Sequence, residues 1–185
     1  FELVRRAQNG ELNAFEELVK LHDRSVLNVA YSMTGNADDA QDVYQETFLR
    51  AYTGISRFRF ESSFRTWVMR IAVNQSINMR KKRRLRSFLS LNVTASEHDE
   101  PVVLQIADSE DPTAEVVSEE ILQQVQMALK VLTTKERAVF TLKHFEQYKV
   151  KEIAQMLQCA EGTVKNYLFR ATQKLQARLK SYYRN

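Results

Sequence analysis

Between Tyr52 and Trp67 the sequence places five aromatic residues, Tyr52, Phe58, Phe60, Phe64 and Trp67, interleaved with Arg57, Arg59 and Arg65 and followed by Arg70. Aromatic rings offer stacking planes to unpaired bases, and guanidinium groups hold the intervening phosphates, so this pattern suits single-stranded nucleic acid. Packing claims part of the set. Phe64, Val68 and Ile71 share one helical face, which makes Phe64 core and Trp67 its border, while Phe58 and Phe60 in the preceding loop are the freer contacts. Asn74 stands two turns beyond Trp67 on nearly the same side, and its amide can both donate to and accept from a base turned out of the stack. The same helix ends in Arg80-Lys81-Lys82-Arg83-Arg84-Leu85-Arg86, six cations in seven residues. Such a run can follow duplex phosphates and is favoured at a helix C-terminus.

A second constellation lies near the C-terminus. Val150, Ile153, Ala154 and Leu157 fall at i, i+3, i+4, i+7 and make one buried stripe. Gln158-Cys159-Ala160 form a tight turn, and Glu161 opens the next helix with an acid where the helix dipole favours one. There Val164, Leu168, Ala171 and Leu175 point one way, while Lys165, Asn166, Phe169, Arg170 and Gln173, with Lys174 beside them, point the other. Cations, an amide and an aromatic on an outward helix face can reach phosphates, base edges and a thymine methyl. Stripe, turn and polar face together predict a helix-turn-helix over about 150–169.

A third face is acidic and polar: Asp42, Gln45, Glu46, Leu49 and Arg50, opposite an inward stripe of Tyr44, Thr47, Phe48 and Ala51. An exposed leucine framed by acids and amides is poor for DNA and good for a protein partner. Nothing in the sequence builds a catalytic centre. There is no Ser/His/Asp or Cys/His arrangement, no glycine-rich phosphate loop, and no metal-ligand spacing among His22, His98 and His144. No catalytic residue, metal, cofactor or small-molecule substrate is therefore expected. The lone Cys159 reads as a packing residue in the turn.

The elements that position these residues are helical. Only four glycines and two prolines occur in 185 residues, and Asn9-Gly10 and Gly35-Asn36 punctuate helical periods as inter-helix turns. One helix is expected over about 38–55, then a loop, then a long helix capped by Ser62 or Ser63 and reaching Arg86. Periodicity lapses over 87–117, where both prolines fall among Ser, Thr, Asp and Glu, and returns from Ser118. The expected fold is all-α: a helical domain over 1–86, a flexible acidic linker over 87–117 and a helical domain over 118–185. Charge follows the same division. Residues 1–86 carry 15 Lys/Arg and 10 Asp/Glu, residues 87–129 no Lys or Arg and nine acids, and residues 130–185 12 bases and four acids. Two basic blocks around an acidic one fit two polyanion-binding modules, and fit equally two solvated surfaces with an acidic tether. No apolar run approaches the roughly 20 residues of a membrane helix.

The stretch VKEIAQMLQCAEGTVKNYLFRATQKL resembles domain 4 of small sigma factors, whose second helix reads the −35 promoter element. It also resembles the LuxR-type output domain of free-standing transcriptional regulators, which is the alternative reading. DAQDVYQETFLRAY resembles sigma region 2.2, and FRFESSFRTWVMRIAVN resembles regions 2.3 to 2.4. On these motifs the chain is identified as a member of the extracytoplasmic-function group of the sigma-70 family, lacking a segment like domain 3. The resemblance implies that Asp42, Gln45, Glu46, Leu49 and Arg50 dock on core RNA polymerase, at the clamp helices of its largest subunit, with a further contact at the flap. It implies −10 contacts from Arg57, Phe58, Arg59, Phe60, Phe64, Trp67, Asn74, Arg80, Lys81, Arg83 and Arg84. It implies −35 contacts from Lys165, Asn166, Phe169, Arg170, Gln173 and Lys174. Phe60 and Gln158 stand where many members have glycine. An anti-sigma factor is the further partner implied, able to hold a cytoplasmic protein at the inner membrane.

Overall fold

The structure, a computed structural model, describes residues 1–89 and 124–182. Among them there is no strand. The helices are α1 (Glu2–Gln8), α2 (Leu12–Thr34), α3 (Ala37–Gly54), α4 (Phe64–Leu89), α5 (residues 124–129), α6 (Thr134–His144), α7 (Val150–Leu157) and α8 (Glu161–Tyr182), with a 3-10 turn at Ile55–Arg57. The predicted punctuation holds. Gly10 and Gly35 adopt φ of +90° and +72°, left-handed conformations that cost glycine little.

Local chemistry sets the helix starts. Asn36 caps α3 by accepting the Asp39 amide at 2.8 Å, and Asp38 and Asp39 add negative charge to the first turn. Ser63, rather than Ser62, caps α4: its Oγ accepts the Thr66 amide at 3.0 Å. Thr133 and Glu136 form a reciprocal capping box at α6. The helix α4 continues to Leu89, past the expected domain boundary at 86. The rest of the expected linker, and the start of the second domain at 118, lie outside the described residues.

The first unit is built by α2, α3 and α4 crossing one another, with α1 laid on α2 through buried Val4 and Ala7. The second is built by α6, α7 and α8. The two units touch: α6 packs on α2 and α7 on α4, and one apolar cluster runs from Val4, Phe15 and Val68 through to Val139, Ile153 and Val164. At the centre of the contact sits Arg137 of α6, 2% exposed. The last turn of α2 contains no basic residue of its own. Its Met33 carbonyl instead accepts from Arg137 Nη1 at 3.1 Å and from Arg80 Nη1 of α4 at 2.8 Å. Two cations thus meet the negative end of one helix. Burial, with Arg80 adding to it, lowers the Arg137 guanidinium to about 9.

Candidate nucleic-acid interface

The aromatic loop forms a connected cluster. Phe58 lies 5.1 Å from both Phe60 and Trp67 and 6.3 Å from Phe64, ring centre to ring centre, and Phe64 lies 5.6 Å from Trp67. Phe58 is buried, not the free loop contact the sequence suggested: the 3-10 turn swings it inward, where it joins Phe64 at the base of the cluster. Phe60 and Trp67 are half-buried, and Arg57 and Arg59 are exposed. Trp67 leans on the backbone at Gly54, where an added Cβ would meet its ring at 3.4 Å. Phe60 adopts φ of +59°. For a side chain with a Cβ that conformation costs roughly 1–2 kcal/mol, a sum that one or two aromatic contacts of about 0.5–1.5 kcal/mol offset. The loop thus keeps a glycine-like backbone with phenylalanine at its turn.

Beside the cluster opens a cleft of about 600 Å³ lined by Arg57, Phe58, Arg59, Thr66, Trp67 and Arg70, with Gln155 and Met156 of α7 across it. Asn74 does not line this cleft; it is exposed one turn farther along α4. Lys81 and Arg84 are exposed. Arg80 is half-buried and committed to the Met33 carbonyl, its pKa lowered by burial and then by Arg83. Arg83 pairs with Asp39 at 2.9 Å. The basic run is therefore divided between the protein and solvent.

On α8 the expected outward face is outward: Lys165, Asn166, Arg170 and Gln173 are exposed, and Phe169 is 62% exposed. Val164 and Ala171 are buried opposite. Lys174 belongs to the fold more than to this face. Its Nζ reaches the buried Glu136 at 2.7 Å. Burial alone would push the Glu136 carboxyl up, but hydrogen bonds from Lys174 and Thr133 outweigh it and hold the carboxyl below its ordinary value. The turn between α7 and α8 runs through Gln158 at φ of +52°, the position expected to favour glycine, and the Cys159 amide donates to the Ala154 carbonyl at 3.0 Å. Half-buried Cys159 packs against the core.

The third face also stands clear. Asp42, Gln45 and Arg50 are exposed, Leu49 is 59% exposed, and Glu46 is half-buried and paired with Arg50. Asp42, Val43, Gln45, Glu46 and Leu49, with Gln75, Asn78, Met79 and Lys82 of α4, line a groove of about 570 Å³.

Sequence reasoning missed the residues that cross between the units, since nothing local marks them. Arg65 Nη2 reaches Glu146 Oε2 at 2.8 Å, and its guanidinium lies 5.0 Å from the Tyr148 ring centre. Burial pushes the Glu146 carboxyl up in spite of Arg65, and pushes the Tyr148 hydroxyl up to about 12. His22, stacked 5.5 Å from Phe64, is lowered by burial and then by Arg65. Among the described residues no cluster of His, Cys, Asp and Glu could hold a metal ion, and no helix is long and apolar enough to cross a membrane.

Residues 18–86 match the model of Sigma-70 region 2, and residues 122–175 match that of Sigma-70, region 4. The ECF RNA polymerase sigma factor SigW of Bacillus subtilis (strain 168) is 30% identical over 177 residues, 96% of this chain and 95% of that protein. The chain belongs to the extracytoplasmic-function sigma factors of the sigma-70 family. This ECF sigma factor is also 34% identical over 183 residues to the RNA polymerase sigma-H factor of Pseudomonas aeruginosa, covering 96% of the chain and 92% of that protein. Among solved structures it resembles CnrH in complex with the cytosolic domain of CnrY, with a TM-score of 0.68 at 25% identity over 97% of this chain and 96% of that one. The sigma factor RpoE of Bartonella quintana, solved with the anti-sigma factor NepR, shares the fold at a TM-score of 0.70 and 23% identity, covering 90% of this chain and 96% of that one. An ECF sigma factor binds core RNA polymerase and promoter DNA and directs promoter-specific transcription initiation. A free-standing LuxR-like regulator would need only the helix-turn-helix half, and leaves the region 2 match over 18–86 without a purpose.

Proposed function

We propose the following division of labour among the three surfaces of this sigma factor. The α3 face around Leu49, with the groove it shares with α4, docks on the clamp helices of the largest polymerase subunit, and the region 4 unit meets the flap. The exposed face of α8, Lys165 to Gln173, lies in the major groove of the −35 duplex. The aromatic cluster, its cleft and Asn74 take up unpaired −10 bases, with Lys81 and Arg84 on upstream phosphates. The two functional units are residues 1–86 and 118–185.

The observation that carries this reading is the coexistence of the three surfaces: a polar α8 face with Phe169 62% exposed, an arginine-rimmed aromatic cleft, and an acidic groove around an exposed leucine. A duplex reader needs only the first. The protein makes and breaks no bond. It supplies binding free energy that favours the melted promoter, shifting a population already open to the polymerase. CnrH was solved in complex with the cytosolic domain of CnrY, and RpoE, which shares the fold, in complex with the anti-sigma factor NepR; this supports a cytoplasmic protein restrained by an anti-sigma factor, itself able to sit in the inner membrane.

Run-off transcription with purified core polymerase on a promoter library tests the reading. Start sites absent with core alone are expected to emerge with the protein, and to vanish when either promoter element is scrambled. An unchanged set of transcripts overturns it.

A further inference from the structure

The helix α1 lies outside the stretch that matches region 2, yet it touches the aromatic loop with one continuous stripe. Phe1, Arg5 and Gln8 are spaced i, i+4, i+7, so they share a face of α1. Gln8 Nε2 donates to the Ile55 carbonyl at 2.9 Å and to the Phe58 carbonyl at 2.8 Å. These two carbonyls bracket the 3-10 turn, which is closed by the Phe58 amide on the Ile55 carbonyl at 3.0 Å. One side-chain amide thus uses both of its N–H groups to fix the start of the loop. Two residues on, the Phe60 ring receives the Arg5 guanidinium at 5.9 Å and the Phe1 ring at 5.8 Å. The helix is held on α2 from its other side, by buried Val4 and Ala7 and by the Arg6 guanidinium donating to Glu11 at 2.9 Å.

We propose that α1 is a positioning element of the −10 reader, and that Gln8 is its positioning residue: by tying the two ends of the 3-10 turn it sets where Phe60 and the rim of the cleft meet a base. The proposal rests on the −10 reading of the loop given above. A base-accepting loop discriminates only if its geometry is fixed before the base arrives, since ordering it afterwards draws on the binding free energy of every base alike. The loop carries a phenylalanine in a left-handed conformation, so it has a reason to relax once its brace is gone.

The test uses the full chain with core polymerase. Gln8→Met keeps the volume and removes the donor, and exposed Arg5→Gln removes the cation from Phe60. Each is assayed on four promoters that differ only in the base presented to the loop, alongside affinity for core and for a −35 duplex. Gln8→Met is expected to compress the preference among the four promoters by about tenfold, the factor that two hydrogen bonds represent, with core and −35 affinities within about twofold of the parent. Arg5→Gln is expected to act in the same direction and less strongly, which keeps the proposal testable should Gln8→Met fold poorly. An equal fall at all four promoters, or no change, overturns it. Asn74→Ala and Phe60→Ala are run in parallel. If they alter the preference while the α1 variants do not, the proposal alone fails; if they too leave it unchanged, the −10 reading of the loop fails with it.

Discussion

Replacing Arg137 by Met would remove a guanidinium 2% exposed at the contact between the two units while roughly preserving its length. Burial lowers the guanidinium from its ordinary value to about 9. At roughly 1.4 kcal/mol per pH unit, that depression is a penalty on the order of 5 kcal/mol for keeping the charge in the folded state. Against it stand hydrogen bonds to the Met33 carbonyl at 3.1 Å and the Gln126 carbonyl at 3.4 Å, each worth roughly 1.5–3 kcal/mol when the donor is charged. The two sides nearly cancel, and Met33 keeps a donor in Arg80. Arg137→Met is therefore expected within about 2 kcal/mol of the parent at pH 7 by urea denaturation, not the roughly 3–5 kcal/mol lost when a buried ion pair is broken. The sharper signature lies in pH. Below about 9 folded and unfolded chains both hold the Arg137 proton, and its contribution is flat. Above 9 the folded chain sheds the proton and the unfolded chain keeps it, so the parent gains stability as pH rises. By pH 10 the gain over Arg137→Met should be about 1–2 kcal/mol, with the titrating groups other than Arg80, whose charge acts on Arg137, cancelling in the comparison. A stability difference that stays constant from pH 8 to pH 10 would refute the desolvation account.

Arg170→Ala should cost roughly 1–3 kcal/mol of discrimination among −35 duplexes altered one base at a time, read by competition gel shift with core polymerase; an unaltered ranking removes Arg170 from the base readers. Asp42→Lys with Glu46→Lys should weaken association with core polymerase at least about tenfold in a labelled-core titration, since like charges now face a surface matched to acids; the thermal midpoint should fall only slightly, since Asp42 is exposed and the partly exposed Glu46–Arg50 pair that is replaced by like charges is worth about 0.2–0.5 kcal/mol. Glu146 has its carboxyl pKa raised by burial in the folded chain. Its protonated form is therefore favoured by folding, and stability relative to Glu146→Gln should be greatest below the ordinary carboxylate pKa and decline as pH rises through the raised value; urea melts between pH 4 and 7 that run parallel for the two proteins exclude this.

Much of this was legible because the sequence and the fold speak at the same range. Helix faces repeat within seven residues, so the exposed set on α8, the buried set opposite it and the polar face of α3 follow from spacing alone. Caps are shorter still, and Ser63, one of the two caps expected, acts within three residues of itself. Phe58 escaped because a loop has no period: only the 3-10 turn, fixed by Gln8 from 47 and 50 residues away, decides that its ring points inward. Lys174 escaped because its partner, Glu136, lies 38 residues back on another helix. The contact between the units was invisible for the same reason. Arg65 and Glu146 are 81 residues apart, Arg137 and the Met33 carbonyl 104, and neither pair leaves a pattern along the chain.

The tie between Arg65 and Glu146 also makes strand binding exchange protons as well as salt cations. Each phosphate neutralised by a protein cation frees condensed cations from the nucleic acid, and the steepness of affinity against ionic strength tallies such events. If a −10 strand draws Arg65 away, the buried Glu146 carboxyl, already raised by burial, loses the cation that opposed that rise and is pushed further towards its protonated form. Strand binding through Arg65 then takes up a proton as well as releasing condensed cations, so affinity should weaken as pH rises at fixed salt, and Glu146→Gln should remove that pH dependence.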